Sequence, residues 1–213
     1  MNTYELIISI IVSSITGIAA SFFVWWFTVK HIRPRLKFSE KISKSKTFEN
    51  KSGFKYRFKM ENYGRRNIID IEIIVRFRSK GLIRNTPNNW EVVYLPTSTL
   101  EYKKIAIMKP FSKSNLRSIL EIKTYECDYF QNSVFPDDII QKSRNKTLLL
   151  DDILDLNQNS EFQILIIGTD EFSGAKKFFH SKIYKKSDIE LGFFDPRGLD
   201  IMPPLLQIRN LCE

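Results

Sequence analysis

The chain contains 213 residues, of which 43% are hydrophobic, and 33 Lys and Arg against 24 Asp and Glu give a formal net charge of +9. This hydrophobic content argues against a chain that is disordered throughout, because it supplies enough apolar surface for a core. Two cysteines, Cys127 and Cys212, lie far apart without metal-ligand spacing. They exclude a disulfide framework and are typical of a protein in a reducing compartment.

An uncharged apolar run extends from Leu6 to Val29 and contains 24 residues. At about 1.5 Å of rise per residue, a helix of this length crosses a hydrocarbon core of about 30 Å. A cleaved signal peptide is the alternative, but such a peptide has a basic start and a shorter apolar core. Residues 1–32 are therefore predicted to be a single transmembrane α-helix with its flanks.

Small residues recur at every fourth position of this run: Ser9, Ser13, Gly17 and Ser21. Positions four apart form one ridge of a helix, and small residues on that ridge let a neighbouring helix approach closely. The stripe predicts a helix–helix packing surface, or the lining of a narrow pore. The alternative is an ordinary span, since small residues are common in membranes and a Ser hydroxyl can bond the carbonyl four residues earlier.

No Lys or Arg precedes the run, whereas Lys30, Arg33, Arg35, Lys37 and Lys41 follow it. Basic residues stay on the cytoplasmic side of a span. We therefore expect the inner (plasma) membrane of the cell, with the N-terminus outside and the soluble domain in the cytoplasm.

The basic residues after the span are also candidates for binding anionic lipid headgroups, since each Lys or Arg near an anionic membrane surface contributes about 1 kcal/mol of attraction. Topology alone is the alternative explanation of these charges. Nucleic acid is the less favoured partner, because the basic residues alternate with apolar ones along strands or gather at this junction.

Alternating apolar and charged residues predict two strands joined by the turn "NYGRRN". The first, residues 54–62, should direct inward Phe54, Tyr56, Phe58 and Met60, and outward Lys55, Arg57, Lys59 and Glu61. The second, residues 68–78, should direct inward Ile69, Ile71, Ile73, Val75 and Phe77. The Lys- and Ser-rich stretch 41–53 has few apolar residues and is predicted to be an exposed loop.

Further elements are predicted later in the chain. The segments "WEVVYL" and "KIAIM" are predicted strands, each closed by a proline. The segments "FPDDIIQKS" and "LLLDDILDL" predict two short helices. The apolar strand from Phe162 to Ile167 continues through "GTDEFSG" into a returning strand that ends near Tyr184. Strands at such short spacing with antiparallel connections predict a β-sandwich.

No motif indicates catalysis. His31 and His180 are too far apart in sequence to nominate a metal site. The adjacent acids of 137–138 and 151–152 are compatible with acid/base pairs, but acids at a helix start are favoured by the helix dipole. We therefore expect a protein that is not an enzyme and has no cofactor.

Three stretches carry a resemblance to a known family: "RPRLKFS", "FKYRFKMENYGRRNIIDIEIIVRF" and "FQILIIGTDEFSGAKKFFHSKIYKKSDIELGFF". Together they are similar to the cytoplasmic domain of inward-rectifier potassium channels. The most specific likeness is the late hairpin, which resembles the family's Gly-x-Asp-Glu turn, Tyr-x-x-x-Asp-Ile step and closing Phe. The resemblance covers roughly residues 33–78 and 161–194, and residues 79–160 are outside it.

Members of that family have two spans, whereas the apolar run predicts one here. Together with this single transmembrane helix, the resemblance implies a fold that is mainly β, in which the helix is followed by a cytoplasmic immunoglobulin-like β-sandwich. The sandwich would comprise residues 33–195, with 196–213 as a C-terminal tail. It also implies a homo-tetramer around the helix, and anionic lipid headgroups meeting Arg33, Arg35 and Lys37. The sequence has no filter of the Thr-Val-Gly-Tyr-Gly type, so potassium selectivity is not implied.

Two functions follow as hypotheses. In the first, the sandwich senses a lipid, ligand or protein partner and controls an oligomer of transmembrane helices, which could form a poorly selective pore or permeabilise a membrane, for example in defence. In the second, the sandwich is a passive scaffold or adaptor held at the membrane without conduction.

Overall fold

The computed structural model describes residues 3–47, 53–82, 88–98, 105–110, 118–133, 135–196 and 198–203. Helix α1, Thr3–His31, begins the chain. Its segment Thr3–Thr28 is long and apolar enough to cross a membrane, and none of its most apolar window is buried within the protein. The helix ends three residues before Pro34, whose ring is incompatible with a continuing helix.

Thirteen strands follow among the described residues, with two short helices, α2 (Asp137–Arg144) and α3 (Leu150–Asp155). The strands are β1 (Leu36–Phe38), β2 (Ile42–Lys46), β3 (Phe54–Asn62), β4 (Ile68–Lys80), β5 (Trp90–Leu95), β6 (Thr97–Ser98), β7 (Ile105–Met108), β8 (Ser118–Ile122), β9 (Glu161–Asp170), β10 (Lys176–Tyr184), β11 (Ile189–Leu191), β12 (Phe193–Phe194) and β13 (Ile201–Met202).

The strands form two main sheets that share one core. The first sheet has the order β11-β2-β3-β8-β6, with β1 also paired to β3. The second has the order β10-β9-β4-β5, with β7 also paired to β4, and β12 pairs with β13 alone. The pairings are antiparallel except for β11 with β2. Buried residues of both sheets, such as Phe58 and Phe77, belong to one hydrophobic cluster, to which α2 and α3 add Ile139 and Ile153.

This arrangement confirms the predicted fold class, a mainly β protein in which a long apolar helix precedes a β-sandwich. The predicted strands of residues 54–62 and 68–78, the hairpin around "GTDEFSG", and the strands at "WEVVYL" and "KIAIM" are all present. Both short helices are present as well, with Asp137 and Asp138 in the first turn of α2. The periodicity was sufficient for β3, β4 and β9 because each of these strands buries one apolar face.

The stretch 41–53 was predicted wrongly as a loop, since its residues 42–46 form β2. Ser43 and Ser45 are buried there, and β2 lies between β11 and β3, so that both of its backbone edges are paired. The Ser43 hydroxyl donates a hydrogen bond of 2.5 Å to the Gly192 carbonyl. Small hydroxyl side chains can thus be buried in a strand, although the low apolar content of this stretch predicts an exposed loop. Residues 48–52 lie outside the described residues.

The inward face of β4 also differs from the prediction at its start. Ile68 is fully buried, whereas Ile69 is only partly buried. A register shift against β9 falls between Ile69 and Glu72, and Asp70 within it has φ 51°. This bulge inserts one extra residue into β4 and so exchanges the inward and outward positions on either side of it. Before the bulge Ile68 faces inward in place of Ile69, and after the bulge Ile71 faces inward as predicted.

Lys59 was predicted to face solvent, but its side chain is 2% exposed. Its ammonium donates a hydrogen bond of 2.5 Å to the Asp195 carbonyl and lies 5.9 Å from the centre of the Phe194 ring. The chain after β11 folds back over the outer face of β3, so the outward side of this strand is covered. β13, within the predicted tail 196–213, pairs with β12 there, and residues 204–213, including Cys212, lie outside the described residues.

Candidate functional site: the helix–sandwich junction

Three segments meet where α1 enters the sandwich. We call residues 32–35 the linker, residues 63–67 the β3–β4 turn, and residues 171–175 the β9–β10 turn, and together they form the junction. The sequence predicted the first by its charge and the other two as turns.

Backbone hydrogen bonds hold the linker against the β3–β4 turn. The amides of Tyr63 and Gly64 donate to the Arg35 carbonyl at 3.0 and 3.3 Å, and the Arg65 amide donates to the Arg33 carbonyl at 3.4 Å. Backbone groups have fixed geometry, so these bonds define the path of the linker more closely than side-chain contacts would. The chain leaving α1 is therefore attached directly to the sandwich.

Gly64 permits this close approach. A Cβ atom at residue 64 would lie 2.6 Å from the Arg33 carbonyl oxygen and 2.8 Å from the Pro34 Cα, and would overlap the Arg35 nitrogen. All three atoms belong to the backbone and cannot move aside as a flexible side chain can. A residue without a side chain is thus required wherever two backbones pass this closely.

The fully buried Asn62 side chain connects the linker to the sheets. Its Oδ1 accepts hydrogen bonds from the amides of Arg35 at 3.4 Å and Gly64 at 3.0 Å. Its Nδ2 donates to the carbonyls of Arg66 at 2.7 Å and Met108 at 3.1 Å. One amide group therefore links the linker, the β3–β4 turn and β7, and a buried network with all its members bonded is rigid.

Arg66 links the end of α1 to the β9–β10 turn. Its guanidinium donates a hydrogen bond of 3.3 Å to the Thr28 carbonyl and one of 3.2 Å to Asp170 Oδ2. The guanidinium carbon lies 4.4 Å from the centre of the Phe172 ring. The Asp170 side chain is only 3% exposed and the Arg66 side chain 12%. A cation beside the last turn of a helix is also favoured by the helix dipole.

A cleft of about 400 Å³ opens at the junction. We call it the junction cleft, and it is lined by Arg33, Pro34, Arg35, Leu36, Tyr63, Lys177, Phe178 and Phe179. Its cationic side chains suit an anionic group, and its aromatic rings suit an adjacent apolar group. Chemically, the cleft combines the two features of an amphiphile-binding surface.

The structure brings together two of the three predicted headgroup-binding residues. Arg33 and Arg35 are exposed and line the junction cleft. Lys37 is exposed on β1, opposite Glu61 of β3, and does not line it. Lys177 and Tyr63 were missed by the sequence analysis. Lys177 reaches the cleft because β10 runs past the linker, which no local pattern indicates.

The predicted packing stripe of α1 is accessible along the helix. Ser9, Ser13, Gly17 and Ser21 are all exposed. Gly17 and Ser21 line a shallow groove with Ser14, Ile18, Phe22 and Trp25, and a Cβ at Gly17 would meet no atom within 4 Å. The hydroxyls of Ser14 and Thr16 donate to the carbonyls four residues earlier, both at 2.8 Å, so they are satisfied within the helix.

The acidic pair of α3 forms contacts within the sandwich. Asp151 bonds the Lys44 ammonium and accepts a 2.8 Å hydrogen bond from the Tyr56 hydroxyl. Asp152 pairs with Lys142 at 2.7 Å and accepts from the Leu149 amide at 2.9 Å, where α3 begins. Burial, followed by the hydrogen bond to Asp151, raises the pKa of Tyr56 far above its usual range. These acids therefore attach α3 to its neighbours.

The remaining polar candidates lie apart from the junction cleft. Asp137 and Asp138 are exposed at the start of α2, and His180 is exposed on β10. The side chain of His31 lies outside the described residues. Cys127 is a buried free thiol, and burial raises its pKa, which makes it a weak nucleophile.

No protein-family model matches the chain, and a search of curated proteins found no match either. The resemblance to the inward-rectifier cytoplasmic domain therefore stays a prediction that rests on the quoted motifs.

Proposed function

We propose that the protein is a non-enzymatic single-pass membrane protein whose sandwich senses anionic lipid at the junction cleft and thereby controls a homo-oligomer of α1 helices. The observation that carries the proposal is the direct attachment of the helix to the sandwich through Gly64, Asn62 and Arg66. With so short and well bonded a linker, a displacement of the sandwich must displace the end of α1.

Charge supports anionic lipid as the signal. Arg33, Arg35 and Lys177 line one cleft beside the end of the apolar helix. Each basic residue near an anionic leaflet contributes about 1 kcal/mol of attraction, which decays over a Debye length of about 8 to 10 Å. By the positive-inside rule, this leaflet is the cytoplasmic one, with the N-terminus outside.

The stripe of α1 supports helix association. Small residues at Ser9, Ser13, Gly17 and Ser21 allow close helix contact, for which a right-handed crossing near −40° is typical. A tetramer is the assembly that the resemblance implies, and a pore of low selectivity would form if the helices surround a lumen. Membrane permeabilisation in defence is one role that suits such an assembly. A passive membrane scaffold is the competing function, because it needs neither helix association nor a lipid response.

The experiment reconstitutes the full chain in phosphatidylcholine liposomes with and without phosphatidylglycerol, and measures dye leakage together with crosslinked oligomer size. We expect oligomers in both and greater leakage with the anionic lipid. Gly17→Leu should reduce the oligomer while the helix still inserts. Its matched control is Ala19→Leu, which places the same leucine side chain about 200° around the helix. A monomer that never leaks would refute the proposal and favour the scaffold.

A second arm tests the lipid signal. Exchanging the three cleft cations Arg33, Arg35 and Lys177 together for Gln should remove the response to phosphatidylglycerol and its dependence on salt. The control exchanges three other exposed basic residues for Gln, with the same loss of charge: Arg144, Lys146 and Lys185. An equal effect of both triple variants would show that net charge, and no specific cleft, attracts the lipid.

A further inference from the structure

We propose that Phe172, at the tip of the β9–β10 turn, inserts into the interfacial layer of the bilayer that α1 crosses and so anchors the sandwich at a defined distance from the membrane. This inference rests on the membrane crossing in the proposed function, and it does not depend on helix association or leakage.

The position of Phe172 relative to the helix carries the proposal. One guanidinium group, that of Arg66, contacts both the Thr28 carbonyl and the Phe172 ring. Thr28 is the last residue of the apolar segment, which is 26 residues long. A helix of that length measures about 39 Å, longer than a hydrocarbon core of about 30 Å. The end of the segment, and with it the ring of Phe172, is thus at the depth of the lipid headgroups.

The ring is held outward by a well-bonded turn. The Phe172 amide donates to Asp170 Oδ1 at 3.1 Å, and the Ser173 hydroxyl donates to Asp170 Oδ2 at 3.0 Å. The Gly174 amide closes the turn on the Asp170 carbonyl at 2.8 Å. Despite this order, the Phe172 side chain is 76% exposed. A rigid turn that presents a large apolar ring suits a partner that removes the ring from water.

Charge complementarity identifies the lipid layer as that partner. Exposed Lys176 and Lys177 follow the turn, and exposed Arg65 lies in the turn beside it. The one acid at the tip, Glu171, accepts a hydrogen bond of 2.5 Å from the Asn67 side chain. An apolar ring surrounded by cations is the composition of segments that lie in an anionic membrane interface.

Spin labels on the full chain in phosphatidylcholine/phosphatidylglycerol vesicles test the proposal, in a Cys127→Ala, Cys212→Ser background. Single cysteines replace Phe172, Trp90 and Ile15. Each label is probed with oxygen, which enters bilayers, and with a water-soluble nickel chelate. We expect the ratio of oxygen to nickel accessibility to be several-fold higher at 172 than at 90.

Trp90 is the matched control, because it is also an exposed aromatic residue but lies far from the junction. It pairs with Lys80, about 40 Å from Ile68 along β4.

The label at Ile15 reports whether the middle of the apolar helix is in the hydrocarbon. If Ile15 is inserted and 172 is as accessible to nickel as 90, the inference alone fails. If Ile15 is accessible to nickel, the membrane crossing fails and both proposals fall. If the label at 172 is shielded from both reagents and its spectrum is broadened by a label on another chain, the partner is a second copy of the protein and the inference is overturned.

Discussion

Replacing Gly64 with Ala should open the junction while leaving both the span and the sandwich folded. The added Cβ overlaps the linker backbone, lying 2.6 Å from the Arg33 carbonyl oxygen. Overpacking of this kind costs about 1 to 3 kcal/mol. Three amide hydrogen bonds to the linker, each with a net contribution of about 1 kcal/mol, weaken as the backbones separate. We expect the junction to lose about 3 kcal/mol of local stability.

Hydrogen exchange of the full chain in liposomes measures this loss. A local destabilisation of about 3 kcal/mol accelerates the exchange of the β3–β4 turn amides by about a hundredfold. The amides of β9 should exchange as before, since the second sheet is not perturbed. The leakage response to phosphatidylglycerol should also weaken, because the sandwich no longer moves with the end of α1.

Arg65→Lys is the matched control, because it alters an exposed side chain of the same turn, keeps its positive charge and adds no atom toward the linker. It should leave both exchange and leakage unchanged. Wild-type exchange rates in Gly64→Ala would refute the close packing of the linker. Accelerated exchange with an unchanged lipid response would instead refute the idea that the junction transmits the signal.

Two further predictions concern buried polar groups. Arg66→Met should lower the free energy of unfolding, measured in urea, by about 3 kcal/mol, because the Asp170 carboxylate stays buried without its cation. Adding Asp170→Asn to this variant should recover part of the lost stability. An absence of recovery would contradict the pairing of the two side chains. Burial raises the pKa of Tyr56 and Tyr184 above 10.0, so their contribution to stability is complete below pH 10 and decreases as the pH rises beyond it. The chain has eight tyrosines, and in an absorbance titration Tyr56 and Tyr184 should ionise only as the protein unfolds. Ionisation of all eight tyrosines near pH 10 in the folded chain would contradict the burial of these two.

Local patterns predicted the regular elements well. The alternation in residues 54–62 and the apolar run of residues 162–167 identify strands because a strand's side chains alternate over a period of two residues. The bulge at Asp70 escaped the same reasoning, since a single extra residue opposite β9 shifts the face of Ile68 and Ile69. Lys59 escaped it as well, because its cover comes from a segment 136 residues later.

The sequence predicted only those residues of the candidate site that a cluster of charge within one short segment identifies. Arg33 and Arg35 follow an apolar run, so their place just after the end of α1 could be inferred from order alone. Arg66 and Asp170 are 104 residues apart in sequence. They meet because β4 pairs with β9, and that pairing brings the β3–β4 and β9–β10 turns to the same end of the second sheet.

The sequence by itself determined the length of the apolar helix, the basic residues that follow it, and most strands, because these depend on hydrophobicity and periodicity within short segments. Only the tertiary structure decided how the helix is attached. Gly64 and Arg66 act through backbone and side-chain contacts with the linker, Thr28 and Phe172. Such contacts depend on strand pairing across the whole sandwich, which no short window of residues specifies.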